Sequence, residues 1–324
     1  MQPIAPLKKW LDEQNIKEEG WLVILQRILM SGASGLIGTA LSASFKPQLE
    51  RGEVEIVRLV RGPAKDATQV SWDPLAPVLP APLSGFDAVI HLAGETILGR
   101  WTTAKKRTIL ESRSLGTRHL AAALAQTNAK PRVFVCASAV GFYGDRGDEI
   151  LREESTTGQG FLADVCRAWE ASSRIAADAG IRTVNVRTGL VLSAKGGALT
   201  AMLRPFKLGL GGRIASGQQW WSWIHIDDIV GGIHHAINTA ELSGPVNLVA
   251  PNPVRNTEFT RELASALRRP AFFPVPAFAL RTAFGRQAAD ELFLSSQRVE
   301  PEKLQASGYN FRYGDLKSAL ANLV

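Results

Sequence analysis

Gly32-Ala33-Ser34-Gly35-Leu36-Ile37-Gly38 decides the fold. It follows the apolar run Ile28-Leu29-Met30 and opens the helical pattern Thr39–Phe45. Strand, glycine turn and helix in that order form the phosphate-cradling start of a dinucleotide-binding unit. The glycines let the backbone turn tightly and approach a pyrophosphate, whose charge then sits at a helix N-terminus. Ser34, Leu36 and Ile37 lie within the turn and are taken with Gly32, Gly35 and Gly38 as cofactor contacts.

Outward from the turn, strand-like and helix-like patterns alternate. Val54–Val60, Ala88–Ala93, Arg132–Ala137 and Thr183–Arg187 read as strands. Thr102–Ala125, Phe161–Ala179 and Ile229–Thr239 read as amphipathic helices between them. This alternation predicts an α/β protein with a Rossmann-type, doubly wound parallel sheet covered on both faces. Residues 62–84 are rich in proline and read as a surface loop, and the alternation breaks up after about residue 195. Three domains are expected: an extension over 1–24, a dinucleotide-binding domain with substrate-side insertions over 25–270, and a small, mostly helical C-terminal domain over 271–324. Within the last, helices are placed near 277–284, 286–294, 301–306 and 314–323. The extension is either a peripheral helix docking Leu7, Trp10 and Leu11 or an over-called start codon.

The 324 residues carry a net charge of +7, but the lysines and arginines are scattered, with Lys105-Lys106-Arg107 the densest group. A phosphate-rich ligand accounts for part of that excess, and no nucleic-acid partner is expected. No apolar run spans a membrane and no signal peptide is read at the N-terminus. Cys136 and Cys166 are the only cysteines, without metal-ligand spacing, which fits a reducing, cytoplasmic setting. His234 and His235 diverge on a helix and are not read as ligands, so no metal site is expected.

The end of the second strand selects the dinucleotide. An acid there would bind an adenosine ribose hydroxyl, whereas arginine suits a 2′-phosphate. Here the strand ends Val60-Arg61-Gly62, without an acid, which favours NADP(H) over NAD(H). Leu92, Ala93 and Gly94 close the next strand and admit a cofactor's adenosine side. Arg113, and less directly Thr108, lie on the helix that would run beside it. Arg113 faces a phosphate or pairs with a carboxylate; Arg187 ends a later strand and is an anion-site candidate.

The chain resembles the extended short-chain dehydrogenases/reductases, a branch to which the G-x-x-G-x-x-G spacing also points. More narrowly it is similar to the atypical epimerase family proteins, once labelled cell-division-inhibitor-like. The resemblance rests on the glycine turn, His91-Leu-Ala-Gly-Glu95, Ser138-Ala-Val-Gly-Phe-Tyr-Gly144, Cys166-Arg-Ala-Trp-Glu170, Arg187-Thr-Gly-Leu-Val-Leu192, Pro205-Phe-Lys-Leu-Gly-Leu-Gly-Gly212, Trp223-Ile-His-Ile-Asp-Asp228 and Phe284-Gly-Arg286. It covers roughly residues 25–324. It implies an NADP-binding core with contacts at Val60, Arg61, Leu92, Ala93, Thr108, Arg113 and Val191.

One departure stands out. Active members of that superfamily pair a Ser or Thr with Tyr-x-x-x-Lys, the tyrosine moving a proton and the lysine lowering its pKa. Ser138 matches the hydroxyl position. Aligned on Glu170, however, Leu162 occupies the tyrosine position and Cys166 the lysine position. Leucine has no proton to give and a neutral thiol does not replace an ammonium. Tyr143 is the substitute acid to consider, against a packing role. Glu95, Glu153 and Glu154 are weaker pocket candidates, and His225 is weighed as a base against a structural role in which Asp227 or Asp228 caps the next helix. The reading is an NADP(H)-binding oxidoreductase or epimerase-like protein acting on a small molecule. The alternative is a non-catalytic NADP(H) sensor or partner-binding protein. No motif names a substrate or an oligomeric state.

Overall fold

The computed structural model describes residues 26–77 and 81–324; the extension read over 1–24 lies outside them. Seven strands form one sheet: β1 (Gln26–Ser31), β2 (Val54–Val60), β3 (Gln69–Ser71), β4 (Ala88–His91), β5 (Val133–Ala139), β6 (Arg182–Thr188) and β7 (Gly244–Leu248). They lie in the order β3-β2-β1-β4-β5-β6-β7, and every pairing is parallel. The strand order reverses between β1 and β4, which places a crevice at the carboxyl edge of the sheet there.

Successive strand residues point to opposite faces, and the core divides accordingly. Ile28, Met30, Ile90, Val135 and Val186 pack on one side against α1 (Leu36–Ser44) and a helix over Ile226–Asn238. Leu29, Val57, Val89 and Phe134 pack on the other against α2 (Thr103–Ala125) and α3 (Phe161–Asp178). Both faces are covered, as the near-continuous apolar runs of β1 and β4 require.

Two segments differ from the sequence reading, and a third carries no strand signal in the sequence. The proline-rich stretch 62–84 contains β3, a short edge strand whose outer hydrogen-bonding groups need no partner strand. The region after 195 holds α4 (Gly197–Lys207), which Gly196-Gly197 and Pro205 mask in the sequence. Gly244-Pro245 looks like a turn but begins β7, where an edge position tolerates proline's missing N–H. The helix over Ile226–Asn238 is α5, and α6 spans Asn256–Leu267.

The C-terminal region is mostly helical: α7 (Ala277–Phe284), a helical turn Arg286–Ala289 running into a π-turn Asp290–Leu294, and helices Glu302–Ala306 and Leu316–Leu323. It packs into the same cores as the sheet domain. Leu304 joins the Ile28 cluster, and Leu316, Ala319 and Leu320 pack with Leu199, Trp223 and Phe259. Arg298–Val299 pairs in parallel with Ile150–Leu151.

The Trp-Ile-His-Ile-Asp-Asp motif explains how this tail is held. His225, rather than either aspartate, caps α5, its Nδ1 accepting from the Asp227 N–H at 3.0 Å. Asp228 is 1% exposed and accepts from the Arg312 and Tyr313 N–H groups at 2.8 and 2.9 Å and from the Tyr309 hydroxyl at 3.1 Å. One buried carboxylate therefore anchors the tail through three donors. Removing it strands those donors, so Asp228→Ala is expected to cost about 2–4 kcal/mol. Urea unfolding should show a lower midpoint, and limited proteolysis should cut residues 301–324 first. An unchanged midpoint and digestion pattern would contradict the anchor.

Candidate functional site

The glycine turn sits at the carboxyl end of β1. Gly32 has φ +71°, and a Cβ there would lie 2.7 Å from the Leu92 carbonyl carbon, so the turn closes directly over the end of β4. A Cβ at Gly38 would strike the Gly32 carbonyl oxygen and come within 2.7 Å of Ala33 Cα. No side chain caps α1, whose N-cap is Gly35, and the N–H groups of Leu36, Ile37 and Gly38 stay open. Ser34 and Gly35 are exposed beside them. Open N–H groups, a positive helix end and a backbone that no side chain crowds form an anion cradle.

The other sequence candidates spread along the same edge. Val60 is half-buried at the end of β2, and Arg61 is exposed just beyond it. No carboxylate is paired with Arg61 among the described residues, although its charge helps hold Glu95 down. Glu95 itself is bound by the Lys105 ammonium at 2.7 Å, the main reason its carboxyl lies below the usual range. Leu92 and Ala93 are half-buried and Gly94 is exposed over Arg113: a Cβ at Gly94 would meet the guanidinium carbon at 3.1 Å. Arg113 donates to the Glu95 carbonyl at 2.8 Å and lies 4.9 Å from the Trp169 ring centre, rather than pairing with a carboxylate. Thr108 is on the exposed side of α2, its hydroxyl turned back to the Ala104 carbonyl at 3.0 Å. Val191 lies in the short strand Leu190–Leu192, and its chain continues to Gly196-Gly197, where added Cβ atoms would touch Leu36 at 3.5 and 3.1 Å. The Val191 segment thus meets the first residue of α1.

The acid–base region lies where β5 meets α3. Ser138 is 4% exposed and donates to Glu170 Oε1 at 2.7 Å. Glu170 is held by Arg187 through Nε and Nη2, both at 2.8 Å. Arg187 also donates to the Tyr143 hydroxyl at 2.9 Å, and Tyr143 donates to Asn247 Oδ1 at 2.7 Å. Tyr143 is 0% exposed, and burial pushes its phenol up to about 12. A phenol so placed reaches no substrate, and the geometry gives it the packing role. Arg187 is likewise committed inside the protein rather than presented to an anion. Glu153 is buried and accepts the Asn247 and Lys303 N–H groups, and His225 is a helix cap.

Leu162 and Cys166 share one face of α3, against Gly141, whose added Cβ would sit 3.3 Å from Leu162 Cβ and 3.8 Å from Cys166 Sγ. Burial drives the Cys166 thiol up to about 12, so it stays neutral. Sequence reasoning missed Glu291. Its carboxylate, in the π-turn of the C-terminal region, accepts the Phe161 N–H at 3.0 Å and the Leu162 N–H at 2.8 Å. It caps α3 from 130 residues away, and with Gln159, Leu162, Asp290 and Gln297 it lines a cavity of about 120 Å³. Single-turn π segments recur at functional sites. The Gly160 φ of +109° leaves room for that carboxylate, a glycine signal readable only with the partner known.

Beneath the cradle, His91 Nδ1 and Nε2 meet Ser31 Oγ at 2.6 Å and Thr117 Oγ1 at 2.9 Å, fully buried. Burial lowers its pKa from 6.5 to about 3. Between those values the unfolded chain binds a proton that the fold does not, so stability present above pH 6.5 is lost as pH falls toward about 3. His91→Gln is expected to flatten the dependence of stability on pH in that window, read by urea unfolding at successive pH values. Equal slopes in both proteins would contradict it.

Together these features define a Rossmann-type dinucleotide-binding protein. The model of the NAD dependent epimerase/dehydratase family matches residues 28–249, and that of a domain of unknown function, DUF1731, matches residues 275–323. The chain belongs to the NAD dependent epimerase/dehydratase family. It is 40% identical over 295 residues to epimerase family protein Mb2239 of Mycobacterium bovis, covering 90% of this chain and 96% of that one. It is 36% identical over 298 residues to epimerase family protein YfhF of Bacillus subtilis, covering 92% and 97%. The crystal structure of human epimerase family protein SDR39U1 (isoform 2) with NADPH matches with a TM-score of 0.83 and 36% identity, over 92% of this chain and 99% of that one.

Proposed function

We propose that the chain is an NADP(H)-dependent oxidoreductase of epimerase-like type, acting on a small molecule without a Tyr–Lys pair. The observation that carries the cofactor is the uncrowded cradle of Gly32, Gly35 and Gly38 with Arg61 exposed, instead of an acid, at the end of β2. The human relative crystallised with NADPH supports it. Two free, buried cysteines fit a cytoplasmic setting.

In this reading the open N–H groups of Leu36, Ile37 and Gly38 receive the pyrophosphate and Arg61 receives the 2′-phosphate. Leu92, Ala93, Gly94 and Val191 form the walls, and Arg113 supports the Gly94–Glu95 loop from below. When bound, the cofactor supplies or accepts a hydride. Ser138 is oriented by its hydrogen bond to Glu170, which the bidentate pair with Arg187 fixes in place. Glu291 is the carboxyl in the cavity beside Leu162, and it takes the proton-carrying role that the missing phenol would have had. A second reading, a non-catalytic NADP(H) sensor, is favoured by one observation: the Ser138 hydroxyl is already spent on Glu170 and the Tyr143 hydroxyl is sealed.

Two experiments test these assignments. Arg61→Ala is expected to weaken NADPH binding by about ten- to a hundred-fold, the loss of a charge-assisted contact, with NADH affinity unchanged. Fluorescence titration of both cofactors reads this out, and equal losses would remove the 2′-phosphate assignment. For turnover, NADPH oxidation is followed across a panel of carbonyl compounds and nucleotide-sugars. Activity lost in both Ser138→Ala and Glu291→Gln, with NADPH affinity retained, is the expected result. Tight NADPH binding without turnover across the panel favours the sensor.

A further inference from the structure

Five of the large apolar side chains left in solvent fall in two neighbouring segments. Leu208 and Leu210 are 73% and 56% exposed, and Phe272, Phe273 and Phe278 are 81%, 58% and 71% exposed. The segments are joined by backbone bonds, Phe273 N–H to the Gly211 carbonyl at 3.1 Å and Val275 N–H to the Arg213 carbonyl at 2.8 Å. Helix α7, which Phe278 opens, buries none of its residues. An apolar patch of this kind on a folded chain marks a contact surface.

Basic residues predominate around it. Residues 179–226 and 263–289 contain no aspartate or glutamate. They do contain Arg204, Lys207, Arg213, Arg268 and Arg269, all exposed. Beside the patch a cavity of about 380 Å³ is lined by Arg213, Arg261, Arg269, Thr257, Thr260 and Phe272, and by no carboxylate. Helix α6 carries Glu258 and Glu262 nearby; Glu262 is 3.1 Å from Arg261, and Arg269 has no acidic partner among the described residues. The two non-glycine residues described with left-handed backbone, Ala215 and Arg268, flank the same place.

We propose that this face docks peripherally on an anionic phospholipid surface, with Leu208, Leu210, Phe272, Phe273 and Phe278 entering the acyl boundary and the arginine-lined cavity taking a headgroup phosphate. Protruding leucine and phenylalanine within a basic rim is the chemistry of interfacial binding, and it needs no spanning helix. No helix among the described residues is long and apolar enough to span. A second copy of the chain is the poorer occupant, since a two-fold contact would set one basic rim against another. The expectation of no membrane partner, which rested on the missing span, is revised to this extent.

The test is flotation of the full-length protein with vesicles of phosphatidylcholine alone or doped with phosphatidylglycerol. Binding is expected only to the doped vesicles and should weaken with salt. Arg261→Gln/Arg269→Gln should weaken it by about thirty-fold, at roughly fivefold per basic residue. Phe272→Ser/Phe278→Ser should also release the protein, while both variants keep wild-type circular dichroism and NADPH affinity. No flotation, equal flotation on both vesicles, or flotation unchanged in both variants overturns the proposal. So does inorganic phosphate binding at the arginines without vesicle binding, or a wild-type oligomer that the phenylalanine variant dissolves without vesicle binding.

Discussion

Glu170 and Arg187 form a buried ion pair, their side chains 13% and 4% exposed, at the point where α3 crosses the carboxyl edge of the sheet. Such a pair is stable only when the remaining donors are also satisfied. Here they are: Arg187 Nη1 reaches the Tyr143 hydroxyl and the Glu153 carbonyl, and the guanidinium carbon lies 3.6 Å from the Phe142 ring centre. Tyr143 passes the connection to Asn247 on β7. The ends of β5, β6 and β7 are thereby tied to one helix. That tie sets where Leu162 and Cys166 stand, because both are on α3, two turns and one turn before Glu170.

The same pair accounts for what position 166 tolerates. Cys166 lies close enough to Arg113 and Arg187 for both charges to favour its thiolate, yet burial outweighs them and the thiol stays neutral. An ammonium there would be a third buried cation beside two guanidiniums. Positive charge around position 166 is thus already supplied by the two arginines, and a neutral side chain suits the position.

What could be read from the sequence follows the range of the interactions. The turn over residues 32–38, the strands at 54–60 and 88–91, and helices α2 and α3 are set by local pattern, and the order of strands follows from their alternation with helices. Arg61 could be singled out because the role proposed for it depends only on its place at a strand end. Tyr143 and Arg187 were ambiguous because their partners, Asn247 and Glu170, are 104 and 17 residues away. Asp227 or Asp228 was expected to cap the helix, since a cap is a local use of a carboxylate, but His225 caps it and the donors to Asp228 come from residues 309, 312 and 313. Edge strand β7 was hidden by Gly244 and Pro245, which an edge accepts and a central strand does not, and β3 by its length of three residues.

Glu291 carries this point into the chemistry. A helix N-terminus wants an anion, and α3 begins with Gly160, which has no side chain to cap it. The carboxylate comes instead from the C-terminal π-turn, so the start of α3, at Phe161 and Leu162, is capped only when that region is docked. Asp228 docks the end of the same region from the opposite side of the sheet domain. Two buried or half-buried carboxylates thus join the C-terminal region to the sheet domain. The cradle is set by residues 32–38, whereas the cavity beside Leu162 is walled by Glu291, Asp290 and Gln297 of the C-terminal region.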